Sequence, residues 1–177
     1  MNAPLPMTQR TVAELSALSQ DEFVAALDGI FEHSPWVAKA AWEDRPFATV
    51  NALQDAMCQA VIDAGEGPQL DLIRAHPELA GKAAVRGELT AESTREQAGA
   101  GLDQCSAEEF ARLTQLNDAY KAKFGFPYIL AVRGHTRVSI IENFATRLEN
   151  SRADEIEECL RQIFRIAGFR LQDLVRD

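Results

Sequence analysis

Helical periodicity is the feature that most limits what this chain can fold into. Apolar residues recur three and four positions apart along nearly every long segment, and no convincing strand alternation interrupts them. Such a stripe buries one face of a helix against its neighbours. The clearest example comes last in the chain and consists of Ile156, Leu160, Ile163, Ala167, Leu171 and Leu174. The sequence therefore predicts an all-α protein, a single-domain bundle of about eight or nine helices.

Helix start and stop signals support this prediction. Ser19 and Glu22 have the spacing of a capping box, in which each side chain bonds the other residue's backbone N–H, and so do Ser106 and Glu109. Gly125 then provides a natural end for the helix that begins after Ser106. We expect that helix to bury Phe110, Leu113, Leu116 and Tyr120.

Length and composition suit one domain with a core of its own. The chain has 177 residues, of which 46% are hydrophobic and 25% charged, the usual mixture for a globular domain. We expect residues 1–177 to form this single domain, with residues 1–14 as a loosely ordered N-terminal segment. No internal repeat or low-complexity linker divides the sequence.

Charge and cysteine usage exclude several function classes. The formal net charge is -9, whereas nucleic-acid and anionic-membrane binders need a basic face. No run approaches the roughly 18 apolar residues of a membrane span. Three scattered cysteines without a C-x-x-C pair, and three histidines without ligand spacing, predict neither a disulfide framework nor a metal site. With no apolar signal core near the first residue, the expected location is the cytoplasm.

His76 and Pro77 form the most informative local motif. Proline crowds the residue before it out of the α region, and it fits the first turn of a following helix. We therefore expect His76 at a junction between two helices, with its imidazole aimed by a fixed backbone, which suits an acid–base group. The alternative is a helix-end histidine without a role.

Three further features have a structural and a functional interpretation. Ser93 and Glu96 have capping-box spacing, but the polar run Ser93 to Gln97 also resembles a helix N-terminus that binds an anion or carbonyl. The apolar segment 124–134, bounded by helix breakers, is a place to build a pocket. Arg170, flanked by apolar residues, is either a solvated side chain with a buried stem or a site residue.

Several separate motifs, in order, resemble one family, the 2-oxo-4-hydroxy-4-carboxy-5-ureidoimidazoline (OHCU) decarboxylases of urate breakdown. The resemblance covers almost the whole chain from about Leu15 to Leu174. The motifs are Glu32-His33-Ser34-Pro35-Trp36, Arg45-Pro46-Phe47, Leu72-Ile73-Arg74-Ala75-His76-Pro77-Glu78-Leu79-Ala80-Gly81, Ser93-Thr94-Arg95-Glu96-Gln97 with Ala100-Gly101-Leu102, Phe124-Gly125-Phe126-Pro127 with Ala131-Val132-Arg133-Gly134, and Ile166-Ala167 with Arg170-Leu171.

The resemblance implies an all-α homodimer that acts without a cofactor or metal on a small ureide and forms (S)-allantoin and carbon dioxide. It implies that His76 is the catalytic histidine and Glu96 its partner carboxylate. Tyr128 stands where the family often has phenylalanine, and Gly168-Phe169 stands before Arg170 where larger residues are common. The implied substrate-binding residues are Pro77, Ser93, Thr94, Arg95, Gln97, Tyr128, Ile129, Leu130, Ala131, Val132 and Arg170.

Two other functions would fit parts of the sequence. A metal-dependent ureide hydrolase would need a third ligand near His76 and Glu96. A non-catalytic helical interaction module would have no need for His76, Glu96, Ser93 and Gln97 together, all of which are present.

Overall fold

The computed structural model describes residues 9–177, which form ten α-helices, two short 3-10 helices and two strands of two residues each. The predicted all-α class is confirmed, with one or two more α-helices among these residues than expected. The described residues divide into two compact units, residues 9–65 with 167–177, and residues 66–166. Within residues 9–177, no helix has the length and apolar character needed to cross a membrane.

The first unit is built around a packed group of short helices and one long helix. In it α3 (Trp36–Ala41) packs on both α2 (Gln20–Ala26) and α4 (Val50–Ala64). The strands β1 and β2 pair in parallel, with Arg10 opposite Val175. The elements are β1 (Arg10–Thr11), α1 (Val12–Ser16), α2 (Gln20–Ala26), α3 (Trp36–Ala41), the 3-10 helix Trp42–Asp44, α4 (Val50–Ala64) and β2 (Val175–Arg176).

Part of the segment predicted to be loosely ordered is structured. Thr11 caps α1 and forms a capping box with Glu14, and the side chain of Gln9 donates to the carbonyl of Gln172 over 2.9 Å. The residues from Gln9 onward therefore belong to the first unit, which corrects the prediction for 9–14. The remainder of that predicted segment, residues 1–8, lies outside the described residues.

The second unit consists of the helical segments between Glu66 and Ile166. Here α8 (Ala107–Phe124) packs on α9 (Arg137–Arg147), and α7 (Ala91–Gly99) packs on the 3-10 helix that follows it. Residues 152–166 of the last helix belong to this unit and residues 167–174 to the first. The elements are α5 (Glu66–Ala75), α6 (Lys82–Val85), α7 (Ala91–Gly99), the 3-10 helix Leu102–Gln104, α8 (Ala107–Phe124), α9 (Arg137–Arg147) and α10 (Arg152–Leu174).

Two of the three candidate capping boxes are confirmed. Ser19 caps α2 with Glu22, and Ser106 caps α8 with Glu109. The Ser93–Glu96 box is wrong, because α7 begins one turn earlier and Thr90 is its N-cap. Gly125 ends α8 with a φ of 81°, a left-handed conformation that glycine adopts without strain.

The core of the second unit is aromatic. Tyr128 stacks on Phe144 with ring centroids 3.8 Å apart, and Tyr120 meets both rings edge-on. Leu113, Leu116 and Tyr120 of α8 are buried as predicted, but Phe110 is 40% exposed. Phe110 lies in the first turn of the helix, beyond the reach of the buried stripe.

Candidate active site

His76 lies directly after the last residue of α5, as its neighbour Pro77 predicts. Pro77 does not begin a new helix, however, since the chain stays non-helical until Lys82. The His76 side chain is buried, and its Nδ1 lies 2.9 Å from the carbonyl oxygen of Leu72. A carbonyl can only accept, so Nδ1 carries the proton and the lone pair of the neutral ring is on Nε2.

The loop after His76, residues 77–81, is held by a side chain from α7. Gln97 is buried, and its Oε1 accepts the backbone N–H of Ala80 over 2.9 Å while its Nε2 donates to the carbonyl of Glu78 over 3.2 Å. Ala80 has a φ of 50°, a left-handed conformation that an L-residue with a side chain adopts at a cost of about 1–2 kcal/mol. Gln97 therefore fixes the loop as well as being a predicted substrate contact.

The predicted residues on α7 do not share one environment. Ser93 and Gln97 are buried and lie one turn apart on the same face, and Glu96 beside them is half-buried. Thr94 and Arg95 are exposed, and the Thr94 hydroxyl donates to the carbonyl of Thr90 over 2.8 Å. The helix thus brings Ser93, Glu96 and Gln97 together and directs Thr94 and Arg95 elsewhere.

The Ser93 backbone N–H is already used at the start of α7. It donates to the Oγ1 of Thr90 over 3.2 Å, which satisfies one of the unpaired N–H groups of the first helical turn. Anion binding by this N–H, one of the two interpretations of the sequence, therefore has no support in the geometry.

The predicted segment Tyr128 to Val132 is non-helical and fully buried. Its direction is fixed by side chains from α9 and α10. Arg147 donates to the carbonyl of Ile129, and Gln162 accepts the N–H of Ala131 over 3.1 Å. The Tyr128 hydroxyl donates to Asn143 over 2.5 Å, which places this side chain in the core.

A buried polar network supports that segment. The Arg147 Nε lies 2.9 Å from Glu155 Oε1, and the Tyr120 hydroxyl donates to the same oxygen over 2.5 Å. Asn150 donates to the other carboxylate oxygen over 3.0 Å. Burial raises the pKa of Tyr120, as well as that of Tyr128, so both phenols stay protonated as donors. A charge buried in this way is stable only when it is paired and hydrogen-bonded.

Arg170 belongs to the first unit and is buried there. Its NH1 group donates to Glu32 Oε2 and to the carbonyl of Gly29, each over 2.8 Å. Glu32 and Arg170 have side chains only 2% and 6% exposed. The interpretation of Arg170 as a solvated side chain is therefore wrong.

Sequence reasoning missed the residues that act through the backbone. Asn117, Arg147 and Gln162 are polar residues at buried positions, and each bonds a backbone atom of the loop after His76 or of the segment 128–132. The available signal was a polar residue within an apolar stripe, such as Asn117 between Leu113 and Tyr120. Among residues 9–177, no three His, Cys, Asp or Glu side chains are grouped so that they could hold a metal ion.

A buried, oriented histidine whose loop is bonded to a carboxylate-bearing helix points to an all-α enzyme that uses acid–base chemistry. Comparison with known proteins makes this class specific. Residues 16–172 match the family profile described as OHCU decarboxylase. The 2-oxo-4-hydroxy-4-carboxy-5-ureidoimidazoline decarboxylase of Halalkalicoccus jeotgali is 40% identical, over 95% of this chain and 93% of its own length. The chain belongs to the OHCU decarboxylase family.

Two further relatives support this assignment. A putative decarboxylase of the same name from Homo sapiens is 37% identical, over 93% of this chain and 95% of its own length. The crystal structure of an (S)-allantoin synthase superposes with a TM-score of 0.76 at 29% identity, covering 93% of this chain and 54% of that one. The fold and the family are thus supported along nearly the full chain.

Proposed function

We propose that this protein decarboxylates OHCU to (S)-allantoin and carbon dioxide in urate breakdown, and that His76 and Glu96 carry out the chemistry. The observation that carries the proposal is the buried His76, oriented by the Leu72 carbonyl, within a family match that spans residues 16–172. The alternative of a non-catalytic module gives no reason for a histidine held in one orientation.

The reaction leaves two electrons on the carbon that loses carbon dioxide. The substrate has a ring C=N beside the carbon that bears the hydroxyl and carboxylate, so it can accept these electrons itself and needs no cofactor. The protein then has three tasks. It must hold the carboxylate out of the ring plane, stabilise the developing charge and deliver a proton to one face of the ring.

We assign the proton transfers to Nε2 of His76. Because Nδ1 donates to Leu72, Nε2 is the nitrogen that gains and loses a proton. It can take the proton of the substrate hydroxyl or contact the carboxylate, and it can then return a proton to the ring carbon. A positioned acid–base group contributes about 10²–10⁴-fold to the rate.

We assign recognition of ring and ureido N–H groups to Glu96, and further substrate contacts to Ser93 and Pro77. Glu96 and Ser93 lie three residues apart on α7 and are half-buried and buried respectively. A carboxylate accepts two N–H groups at once, which matches the planar edge of a ureide. The side-chain amide of Gln97 makes two hydrogen bonds with the loop. Its second N–H and the second lone pair of its oxygen can hydrogen-bond the substrate. Thr94 and Arg95 are exposed, so we expect their contribution to be smaller.

We assign the remaining amide contacts to the backbone of Tyr128 to Val132. Arg147 and Gln162 hold Ile129 and Ala131, and the Val132 carbonyl accepts the N–H of His135 over 2.9 Å. The peptide groups at Leu130 and Val132 therefore have fixed directions. Groups that are held in position before the reaction can lower the activation barrier by several kcal/mol, up to about 7–11 kcal/mol in the best intramolecular cases.

Arg170 has the least specific role. Its guanidinium is paired with Glu32, which leaves the pair close to neutral, so we propose that Arg170 orders the residues around it. A substrate contact for Arg170 is proposed on the family resemblance alone. We also propose that the protein is a homodimer, on the basis of the family resemblance. We propose a cytoplasmic location because its three cysteines are not in disulfides.

A chiral assay tests the function. Urate oxidase and hydroxyisourate hydrolase generate the unstable substrate in place, this protein is added, and circular dichroism follows optically active allantoin. The expected result is rapid formation of one enantiomer, unchanged after dialysis against EDTA. Formation of racemic allantoin at the spontaneous rate would contradict the proposal. Activity lost with EDTA and restored by zinc would favour a metal-dependent hydrolase.

A further inference from the structure

Asn117 has an unusual position for an amide. It lies on α8 between Leu113 and Tyr120 on the buried stripe, and it is 5% exposed. Its Nδ2 donates to the carbonyl of Leu79 over 3.0 Å. Its Oδ1 is buried and accepts no hydrogen bond from the described part of the chain. A buried acceptor without a donor costs free energy, and such exceptions in folded proteins call for an explanation.

The carbonyl that Asn117 bonds is in the loop that follows His76. Gln97 bonds Glu78 and Ala80, and Asn117 bonds the residue between them. Three consecutive backbone positions are therefore held by two amides from two different helices. Ala80 keeps its left-handed φ of 50° because these contacts over-determine the backbone.

We propose that Asn117 is a positioning residue for the decarboxylation, acting through the Leu79 carbonyl to hold residues 77–81 and thereby Pro77 and His76. This proposal rests on the catalytic role of His76 proposed above. Asn117 itself does not touch the substrate. A shift of about 1 Å at a reacting group can lower a rate about 10²-fold, so a loose loop affects turnover before it affects binding.

Two substitutions separate positioning from simple support of the core. Asn117→Leu keeps the side-chain size and removes the bond to Leu79. We expect kcat to fall roughly ten- to a hundredfold with KM changed much less, in protein that is folded by circular dichroism. Gln115→Leu, at an exposed position on the same helix, is the control, and we expect it to keep full activity.

Asn117→Asp provides a signature in the pH profile. When protonated, the introduced carboxyl can donate to the Leu79 carbonyl as the amide does; when ionised, it can only accept and repels that oxygen. Burial favours the protonated form. We therefore expect kcat near wild type at low pH and a fall as pH rises, through an ionisation that wild type and Asn117→Leu both lack.

The outcomes are distinguishable. Full kcat in folded Asn117→Leu, or an Asn117→Asp profile parallel to wild type, would overturn the positioning role. If Asn117→Leu does not fold, the pH profile of Asn117→Asp decides alone. Failure of the underlying function looks different, because wild-type protein would then give no optically active allantoin. His76→Asn losing activity while both Asn117 variants keep it would refute this inference only.

Discussion

The role of each side chain in this site depends on which of its atoms are already hydrogen-bonded. The Nδ1 of His76 bonds the Leu72 carbonyl, which selects the tautomer, so the proposed proton transfers fall to Nε2. Gln97 divides its amide between two backbone atoms of one loop. A substitution at such a residue therefore changes a direction in space as well as a functional group.

Replacing His76 should separate chemistry from support. His76→Asn retains a side-chain N–H near the position of Nδ1 but has no titratable nitrogen, so we expect the dichroism rate to fall by at least about 10²-fold with little loss of helix. His76→Ala also removes the side-chain hydrogen bond to the Leu72 carbonyl, a loss of about 0.5–1.5 kcal/mol of stability. More than about a tenth of the wild-type rate in His76→Asn would rule out an acid–base role of this size.

Replacing Glu96 should affect turnover and leave the fold unchanged. Thr90, not Ser93, caps α7, so Glu96 has no part in a capping box, and Glu96→Gln has nearly the same shape. It removes the charge and one acceptor for substrate N–H groups, a loss of about 1.5–3 kcal/mol, or about 10- to 150-fold in rate. The same assay and a thermal melt measure both effects.

Glu92→Gln is the matched control for Glu96, since it removes an equal charge one turn earlier on α7. If both variants lose activity to the same extent, the effect is the general field of the helix. A stable Glu96→Gln protein with full stereospecific activity would exclude the proposed role.

At the scale of elements, the start of α7 is the main difference between expectation and structure. Thr90, Ser93 and Thr94 all have hydroxyls that could cap a helix, and the local sequence does not choose among them. In the structure the chain leaves α6 through a turn in which Gly87 has a φ of 70°, and Thr90 becomes the N-cap. One turn of extra helix places Ser93 on the buried face beside Gln97 instead of at the helix end.

Removing the Thr90 hydroxyl should destabilise the protein through α7. Thr90→Ala loses the acceptor for the Ser93 N–H, and we expect the free energy of unfolding to fall by about 0.5–2 kcal/mol in a denaturant titration. Thr90→Ser should keep most of it. Ser93→Ala leaves this bond intact because Ser93 donates through its backbone. Thr90→Ala protein as stable as wild type would show that the cap has been misassigned.

Sequence patterns anticipated those elements whose determinants are local. The stripe of α8 and the capping box at Ser106 involve residues three or four positions apart. The supports of the site are not local: Asn117 bonds an atom 38 residues away in the chain, and Gln97 bonds one 17 residues away. Their partners are backbone atoms, which every residue has, so no residue type at position 79 or 80 announces the contact.

At the scale of the whole molecule, each compact unit contains a buried ion pair, Glu32 with Arg170 in the first and Glu155 with Arg147 in the second. The chain has a net charge of -9, yet both of these arginines are buried in ion pairs and do not offset negative charge at the surface. The second pair also holds the Ile129 carbonyl, so the stability of its unit and the shape of the segment 128–132 depend on the same guanidinium.

Breaking the Arg147–Glu155 ion pair should lower the free energy of unfolding substantially. Arg147→Met leaves the Glu155 charge buried without its partner, and we expect a loss of about 3–5 kcal/mol in the free energy of unfolding. Arg147→Met combined with Glu155→Gln should recover part of this loss because no buried charge remains. Both values come from urea titrations of the same preparations. A single variant within about 1 kcal/mol of wild type would mean that the pair is solvated in solution.

The thiol of Cys159 is a probe of local opening around the Arg147–Glu155 ion pair. Its side chain is fully buried against Tyr120 and Arg147, and burial raises its pKa, so it cannot react with a disulfide reagent from inside the folded unit. Modification must wait until the helices around Ile129 separate. In a protein with Cys58 and Cys105 replaced by serine, the rate at which Cys159 is labelled therefore measures how often this region opens.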